Sequence, residues 1–485
     1  MTSREALVGL SAVAIIAGSS AAPSVLFVAR WGGTTKDIAR ALFVDSKQHV
    51  FVTGSTYSAD FPATTRREHP NGHWCTFATS LTASSGAVVY STVACGKGET
   101  WGTAAAPGSD GELWVSGSSD GAGLPVTIDA VQRQFGGYGS PSGAGDAFVF
   151  RWSADGQSLR YGTYLGGTGD ESADTLLSDQ QGGVWIGGTT TSRDFPVTSN
   201  ALQHASGGGV DGFLTHMDSR GGLLFSTYIG GSGNDQITAL ARLDSDRIIL
   251  VGNTSSVEKG LGGPGHGNDD GFVAVFDSRE SAMTWFRRLG GGGDDHLKSV
   301  AVLRGGGIAA AGDSHSANCP NAHPGRDGWT IVLSSSGTLL ADHCFGGGKI
   351  GEVRGLVAAT DGSVWMTGVT SNVYEQAFVV RFQPFRTHAE RTHSPQHAGL
   401  ARRGPADRGA KCGTDGDVSR TMCHAGAEQR WGKFCDMARW TWLVQAATGG
   451  ASADSAVLIQ AAQAVRDSSA DAARARALRS GRPAD

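Results

Sequence analysis

The sequence predicts an all-β protein: a six-bladed β-propeller of four-stranded antiparallel blades, closed by pairing of its N- and C-terminal strands. Three observations carry that prediction. A unit of about 60 residues is written six times. Each copy holds four short runs, rich in aromatic and branched residues and bounded by Gly, Asp or Ser, which is the chemistry of strands. The 73 glycines of this 485-residue chain cluster as Gly-Gly pairs between apolar stretches, supplying the many tight turns that such strands need.

The stretch from Tyr161 to Thr227 shows the unit in full, because its opening LRYGTYLGG returns as LLFSTYIGG. The first run follows the Gly-Gly turn and alternates, as in Asp174 to Leu177. The second reads HVFVTGST from His49, ELWVSGSS from Glu112, GVWIGGTT from Gly183, RIILVGNT from Arg247, GIAAAGDS from Gly307 and SVWMTGVT from Ser363. Turn signals such as Ser109-Asp110-Gly111 and Thr360-Asp361-Gly362 precede it, which is hairpin chemistry. The third run is CTFATSL, DAFVFRW, DGFLTHM, DGFVAVF, DGWTIVL and QAFVVRF. The fourth is LFVARWGG, VVYSTVACG, LRYGTYLGG, LLFSTYIGG, MTWFRRLGG and LLADHCFGG. Four antiparallel strands per unit describe a propeller blade. The alternative, a β-solenoid, uses shorter repeats that pair in parallel.

Counting strands sets the frame. Leu26 to Trp31 is a fourth-type strand with nothing before it, and Ala377 to Phe382 is a third-type strand with no fourth after it. Joined, they complete one blade, and closure removes the exposed edges of an open array. The propeller is therefore expected over residues 24–383. Units such as STYIGGSGNDQITAL, with DFPVT and DGFVAVF, resemble the bacterial β-propeller repeat family abbreviated SBBP. The resemblance covers nearly all of residues 25–383 and is strongest in the third and fourth units. It implies a secreted or surface-exposed bacterial protein, in a family with no established common activity. The family name refers to seven blades, whereas this chain writes six.

Outside the repeats, residues 1–22 read as a signal peptide. Arg4 lies in a short n-region, Ala6 to Ala17 form an apolar core, and Ser19-Ser20-Ala21 offers a cleavage site. The alternative, a membrane anchor, needs an apolar core of about 20 residues, longer than this one. Residues 384–411 are rich in Arg, His, Pro and Gly and read as a linker. Residues 412–485 form a Cys-containing tail with two readings. One is largely disordered; the other is partly helical, with a short amphipathic helix over Trp431 to Ala447, acting as a basic element in peripheral contact with an anionic envelope.

Candidate sites are few. Gly230 to Ile237 and Gly290 to Leu297 match a calcium-binding glycine-aspartate string, but that motif works by stacking every nine residues, and here the copies lie about 60 apart. A glycine corner closed by an Asx-type hydrogen bond is the plainer reading. Asp37, Glu171, Asp235 and Asp295 nonetheless fall in one column at the head of the inner strands, an acidic ring expected at the channel mouth that would gather calcium or a basic ligand. No other cofactor is expected. Trp114, Trp185 and Trp365 read as wedges between blades rather than as sugar platforms, and Phe61, Phe195 and Leu124, each before a proline, as plugs of blade ends. No nucleophile elbow, HExxH, Walker loop or dinucleotide fingerprint is present.

Seven cysteines in an exported chain favour disulfides. Cys75 begins a third strand and Cys95 ends the fourth strand of the same hairpin, nearly opposite. Cys344 lies on the corresponding strand of a later blade, with Cys319 in the loop before its third strand. The pairs Cys75–Cys95 and Cys319–Cys344 are expected, which leaves Cys412, Cys423 and Cys435 in the tail and one thiol over. A net charge of -5 does not recommend nucleic acid as a partner. Taken together, the sequence points to a secreted or cell-surface, non-enzymatic scaffold that binds protein or glycan at the cell envelope. The alternative is an extracellular lyase or glycan hydrolase with its site at the channel mouth.

Overall fold

Twenty-three strands sort into six antiparallel sheets, and apart from two short 3-10 turns there is no helix among the described residues. The computed structural model describes residues 31–383, excluding 46, 66–71, 140–142, 262–264, 266, 324, 347–349 and 371–375. The first blade comprises Asp37–Val44, His49–Thr56, Cys75–Thr82 and Val88–Ala94. The second comprises Thr100–Pro107, Leu113–Ser119, Asp146–Trp152 and Leu159–Leu165. The third is Glu171–Ser178, Val184–Thr190, Asp211–Met217 and Leu223–Ile229. The fourth is Asp235–Arg242, Arg247–Thr254, Asp270–Asp277 and Ala282–Leu289. The fifth is Asp295–Val302, Ile308–Ser314, Asp327–Leu333 and Leu339–Phe345. The sixth holds Ile350–Ala358, Val364–Thr370 and Ala377–Phe382. In every sheet consecutive strands are hydrogen-bonded neighbours, so each blade is an up-and-down meander.

Burial explains why the runs look as they do. In the second to fifth blades the second and third strands are buried on both faces, so they read as near-continuous apolar runs. The first strands alternate instead: in the third blade Glu171 and Ala173 are buried while Ser172 and Asp174 are partly open. One face meets the preceding blade and the other lines the central channel. The core accordingly lies between blades. Trp114, Val149 and Tyr161 of the second blade pack with Ile186, Phe213 and Tyr228 of the third, and Trp114 Nε1 donates to Gly182 O of that next blade at 3.0 Å.

A glycine recurs in each second strand: Gly54, Gly117, Gly188, Gly252, Gly312 and Gly368. The facing first strand bulges there in every blade. The bulged strand brings a carbonyl oxygen to within 1.8–1.9 Å of where a Cβ would stand, so only glycine fits. The loops after the second strands begin with buried Phe61, Leu124 and Phe195, as plugs should. They then run along the outer strand, with Thr127 N donating to Gly162 O and Thr198 N to Ser226 O, which covers the blade's edge.

Both expected disulfides are formed, with Cα separations of 4.6 Å for Cys75–Cys95 and 5.9 Å for Cys319–Cys344. Trp114 and Trp185 are buried, but Trp365 is 41% exposed beneath the Arg381 guanidinium. It stands on the sixth blade, where no further sheet covers its face among the described residues. Of the strand expected to complete that blade, Leu26 to Trp31, only Trp31 is described. Residues 1–22, 384–411 and 412–485 lie outside the described residues, as do Cys412, Cys423 and Cys435.

Candidate binding site in the central channel

The inner strands bring a charged set together where the fourth, fifth and sixth blades meet. His296 and Lys298 alternate with buried residues on the fifth blade's first strand, so both face the channel. The His296 ring lies 3.2 Å from Asp313 Oδ2 and 3.4 Å from Asp269 Oδ2. Lys298 Nζ reaches Glu352 of the sixth blade at 2.7 Å and Asp313 at 3.6 Å, and Arg326 Nε stands 3.1 Å from Asp313. Hydrogen bonds to Asp269 and Asp313 push the His296 imidazole up to about 9, against the pull of burial. Burial would raise Asp313, but His296, Lys298 and Arg326 together hold it below the usual carboxylate range. On the third blade's first strand burial raises Asp174, offset in part by Ser172, Gln236 and the charge of Arg40 from the first blade. The set is a compensated ion network on the channel wall.

The predicted acidic column is placed where its register requires, at the heads of four first strands, but its carboxylates turn into the blade corners. Asp37 Oδ2 accepts from Gly33 N at 2.8 Å, Glu171 Oε2 from Gly167 N at 3.0 Å, Asp235 Oδ2 from Gly231 N at 2.7 Å and Asp295 Oδ2 from Gly291 N at 2.5 Å. Hydroxyls at the end of the second strand, such as Thr56 and Thr190, bind the second oxygen. The Gly-Gly turn is thus a corner capped by a carboxylate four residues on. Burial raises both Glu171 and Asp235, opposed by those hydroxyl and amide donors. Asp146 is pushed up to about 7, first by burial and then by the neighbouring Glu171 charge. Among the described residues no three His, Cys, Asp or Glu side chains gather as a metal-ligand set.

Sequence reasoning missed the channel network and a second acidic column, Asp146, Asp211, Asp270 and Asp327, at the heads of third strands. The second was visible as the recurring Asp-Ala-Phe, Asp-Gly-Phe and Asp-Gly-Trp openings. The first required the inner-strand register, which places His296 and Lys298 on one face.

Fold and channel define a six-bladed β-propeller with a charged inner wall. No protein-family model matches the chain, and no curated protein matches it. Solved structures are similar only distantly. A protein of unknown function from Dyadobacter fermentans aligns over 59% of this chain and 79% of its own, at 11% identity and a TM-score of 0.36. BBS1N, solved in complex with ARL6DN, aligns over 73% and 94% at 10% identity and 0.35. A glucose dehydrogenase aligns over 70% and 95% at 12% identity and 0.36. At such scores none of them informs the activity of this chain, and the architecture rests on its own strand order.

Proposed function

We propose that the chain is a secreted or cell-surface bacterial scaffold of the SBBP-like repeat class, binding protein or glycan at the cell envelope without catalysing a reaction. The observation that carries this reading is a set of open apolar side chains on loops, apart from those exposed on strands. Ile128 at 81%, Tyr138 at 51% and Val257 at 57% exposure stand on loops joining second to third strands, which all emerge at one end of the propeller. These loops differ from blade to blade while the strands repeat. The two disulfides support an oxidising compartment. The basic tail would add peripheral contact with an anionic envelope.

The competing reading, a lyase or glycan hydrolase at the channel mouth, draws on His296 and its carboxylates. An imidazole held protonated at neutral pH by two carboxylates is a poor general base, which weighs against it. Binding of the full chain to glycan arrays and envelope fractions tests the proposal. Ile128→Asp and Tyr138→Ser should reduce capture with an unchanged melting temperature. Turnover of a polysaccharide, abolished by His296→Gln, would replace the scaffold with the enzyme.

A further inference from the structure

The heads of the third strands meet the heads of the next blade's first strands, and the charges at successive meeting points do not balance alike. Between the first and second blades the two positions are Cys75 and Thr100, without charge. Between the fourth and fifth they are Asp270 and Asp295, and the fourth blade supplies a cation: Arg288 Nε donates to Asp270 Oδ2 at 2.8 Å, with both side chains buried. Between the fifth and sixth, Asp327 has His323 within 3.5 Å.

Two meeting points remain. Asp146 and Glu171 pair between the second and third blades, Asp211 and Asp235 between the third and fourth, and all four are buried. Among the described residues no lysine, arginine or histidine forms an ion pair with any of them. Where the fourth blade has Arg288, these blades have Tyr164 and Tyr228. Their hydroxyls donate to Gly121 O and Ser192 O, the carbonyls equivalent to Ser256 O, to which Arg288 donates. The second oxygen of each aspartate is occupied, by Gln132 Nε2 and Gly136 N for Asp146 and by Ser206 Oγ and Gly207 N for Asp211. Oδ1 of Asp146 and Oδ1 of Asp211 are buried with no hydrogen-bond partner. Asp146 Oδ1 and Glu171 Oε2 flank the same residue, Gly166, and Asp211 Oδ1 flanks its equivalent, Gly230.

We propose that these two junctions each bind a divalent cation of the calcium class at the unpartnered Oδ1 atom, supplying the positive charge that Arg288 supplies through Oδ2 of Asp270 one junction further on. Two carboxylates match a double positive charge. A donor set of oxygens alone, with no thiolate or imidazole, suits calcium over zinc. Calcium also tolerates the irregular oxygen geometry of two strand ends better than magnesium, which requires a near-octahedral shell. The ions tie the second, third and fourth blades together. They are not the open acidic ring expected at the channel mouth, although Glu171 and Asp235 belong to both.

The test is equilibrium dialysis of the EDTA-stripped full chain against calcium chloride, with a melting curve at each concentration. Binding is expected in the range of about 10⁻⁴ to 10⁻³ M that serves extracellular modules, with a higher melting temperature when loaded. Asp146→Asn and Asp211→Asn should each lower the stoichiometry by one ion, and the calcium-dependent rise in melting temperature should vanish in the double variant. Both replacements are isosteric and remove a buried charge, so each variant should melt in EDTA no lower than the parent. Tyr228→Arg, which copies the fourth blade, should also lose one ion. A folded parent that takes up no calcium, or an unchanged stoichiometry in both asparagine variants, would overturn the proposal. The same is true of calcium-independent melting that weakens as pH rises, the signature of a proton shared by each pair.

Discussion

Replacing Arg288 by tyrosine would turn the junction between the fourth and fifth blades into a copy of its neighbours. The phenol should reach Ser256 O, as Tyr228 reaches Ser192 O at 2.9 Å, so shape and one hydrogen bond survive while the positive charge is lost. Asp270 would then stand beside Asp295, both buried, without the guanidinium that now sits 2.8 Å from it. Removing one partner of a buried pair costs about 3–5 kcal/mol, because the remaining charge is uncompensated. The retained hydrogen bond places Arg288→Tyr near the lower end of that range. Adding Asp270→Asn should recover most of the loss, with a coupling energy of about 2 kcal/mol. Urea denaturation in EDTA, followed by tryptophan fluorescence and circular dichroism together, measures all four corners of the cycle. A loss under about 1 kcal/mol for Arg288→Tyr, or a double variant no more stable than the single, would refute this account of Arg288. Calcium should restore Arg288→Tyr by creating a third site. If it does not, the cation proposal suffers while the ion-pair account stands.

The other predictions are shorter. Gly252→Ala places a Cβ 1.8 Å from Gln236 O, and relief by moving the bulged strand should cost about 1–3 kcal/mol, read from the same urea curves. Cys75→Ser with Cys95→Ser opens a loop of sequence separation 20 and should cost about 3 kcal/mol; peptide mapping without reductant should first find Cys75–Cys95 and Cys319–Cys344 intact. His296 has a folded pKa of about 9 against 6.5 for the free group. Its contribution to stability is therefore complete below about 6.5, declines as the unfolded chain releases its proton, and is gone above about 9. His296→Gln should flatten that part of the stability profile, and an imidazole titrating near 6.5 by NMR would contradict the geometry with Asp269, Asp313, Lys298, Arg326 and Glu352. Deleting residues 24–30 tests the expected closure: a melting temperature unchanged by the deletion would mean that Leu26 to Trp31 does not complete the sixth blade.

What the sequence made legible follows from what repeats. Strand order and the Cys75–Cys95 pairing could be read because each depends on spacing along one blade, and six copies average out local noise. The Gly-Gly corner was legible for the same reason, since Asp235 lies a fixed four residues from Gly231. The side chain's direction was not, because an inner-strand head can face the channel or the corner, and the hydroxyls that decide it come from the second strand, such as Thr254 and Ser256. Trp365 misled for a related reason. Its local pattern matches Trp185, but burial is set by whatever covers the next face.

The channel network and the junction charges were less legible because they are departures from the repeat rather than instances of it. Arg288 in place of tyrosine, Thr100 in place of an acid, and His296 and Lys298 in place of Ser172 and Asp174 each look like drift when the units are aligned. In three dimensions they are correlated: Arg288 appears where Asp270 and Asp295 meet, and the acid is missing where Cys75 replaces aspartate. A constant frame must bury the same apolar surface in every blade, so its residues can vary little without loss of stability. Charge at the corners and on the channel wall is free to vary, provided that each junction stays balanced. Whatever distinguishes this propeller from another built on the same unit should therefore be sought at those positions and in the exposed second-to-third loops. Arg288, Asp146 and Asp211 test the first place, and Ile128 and Tyr138 the second.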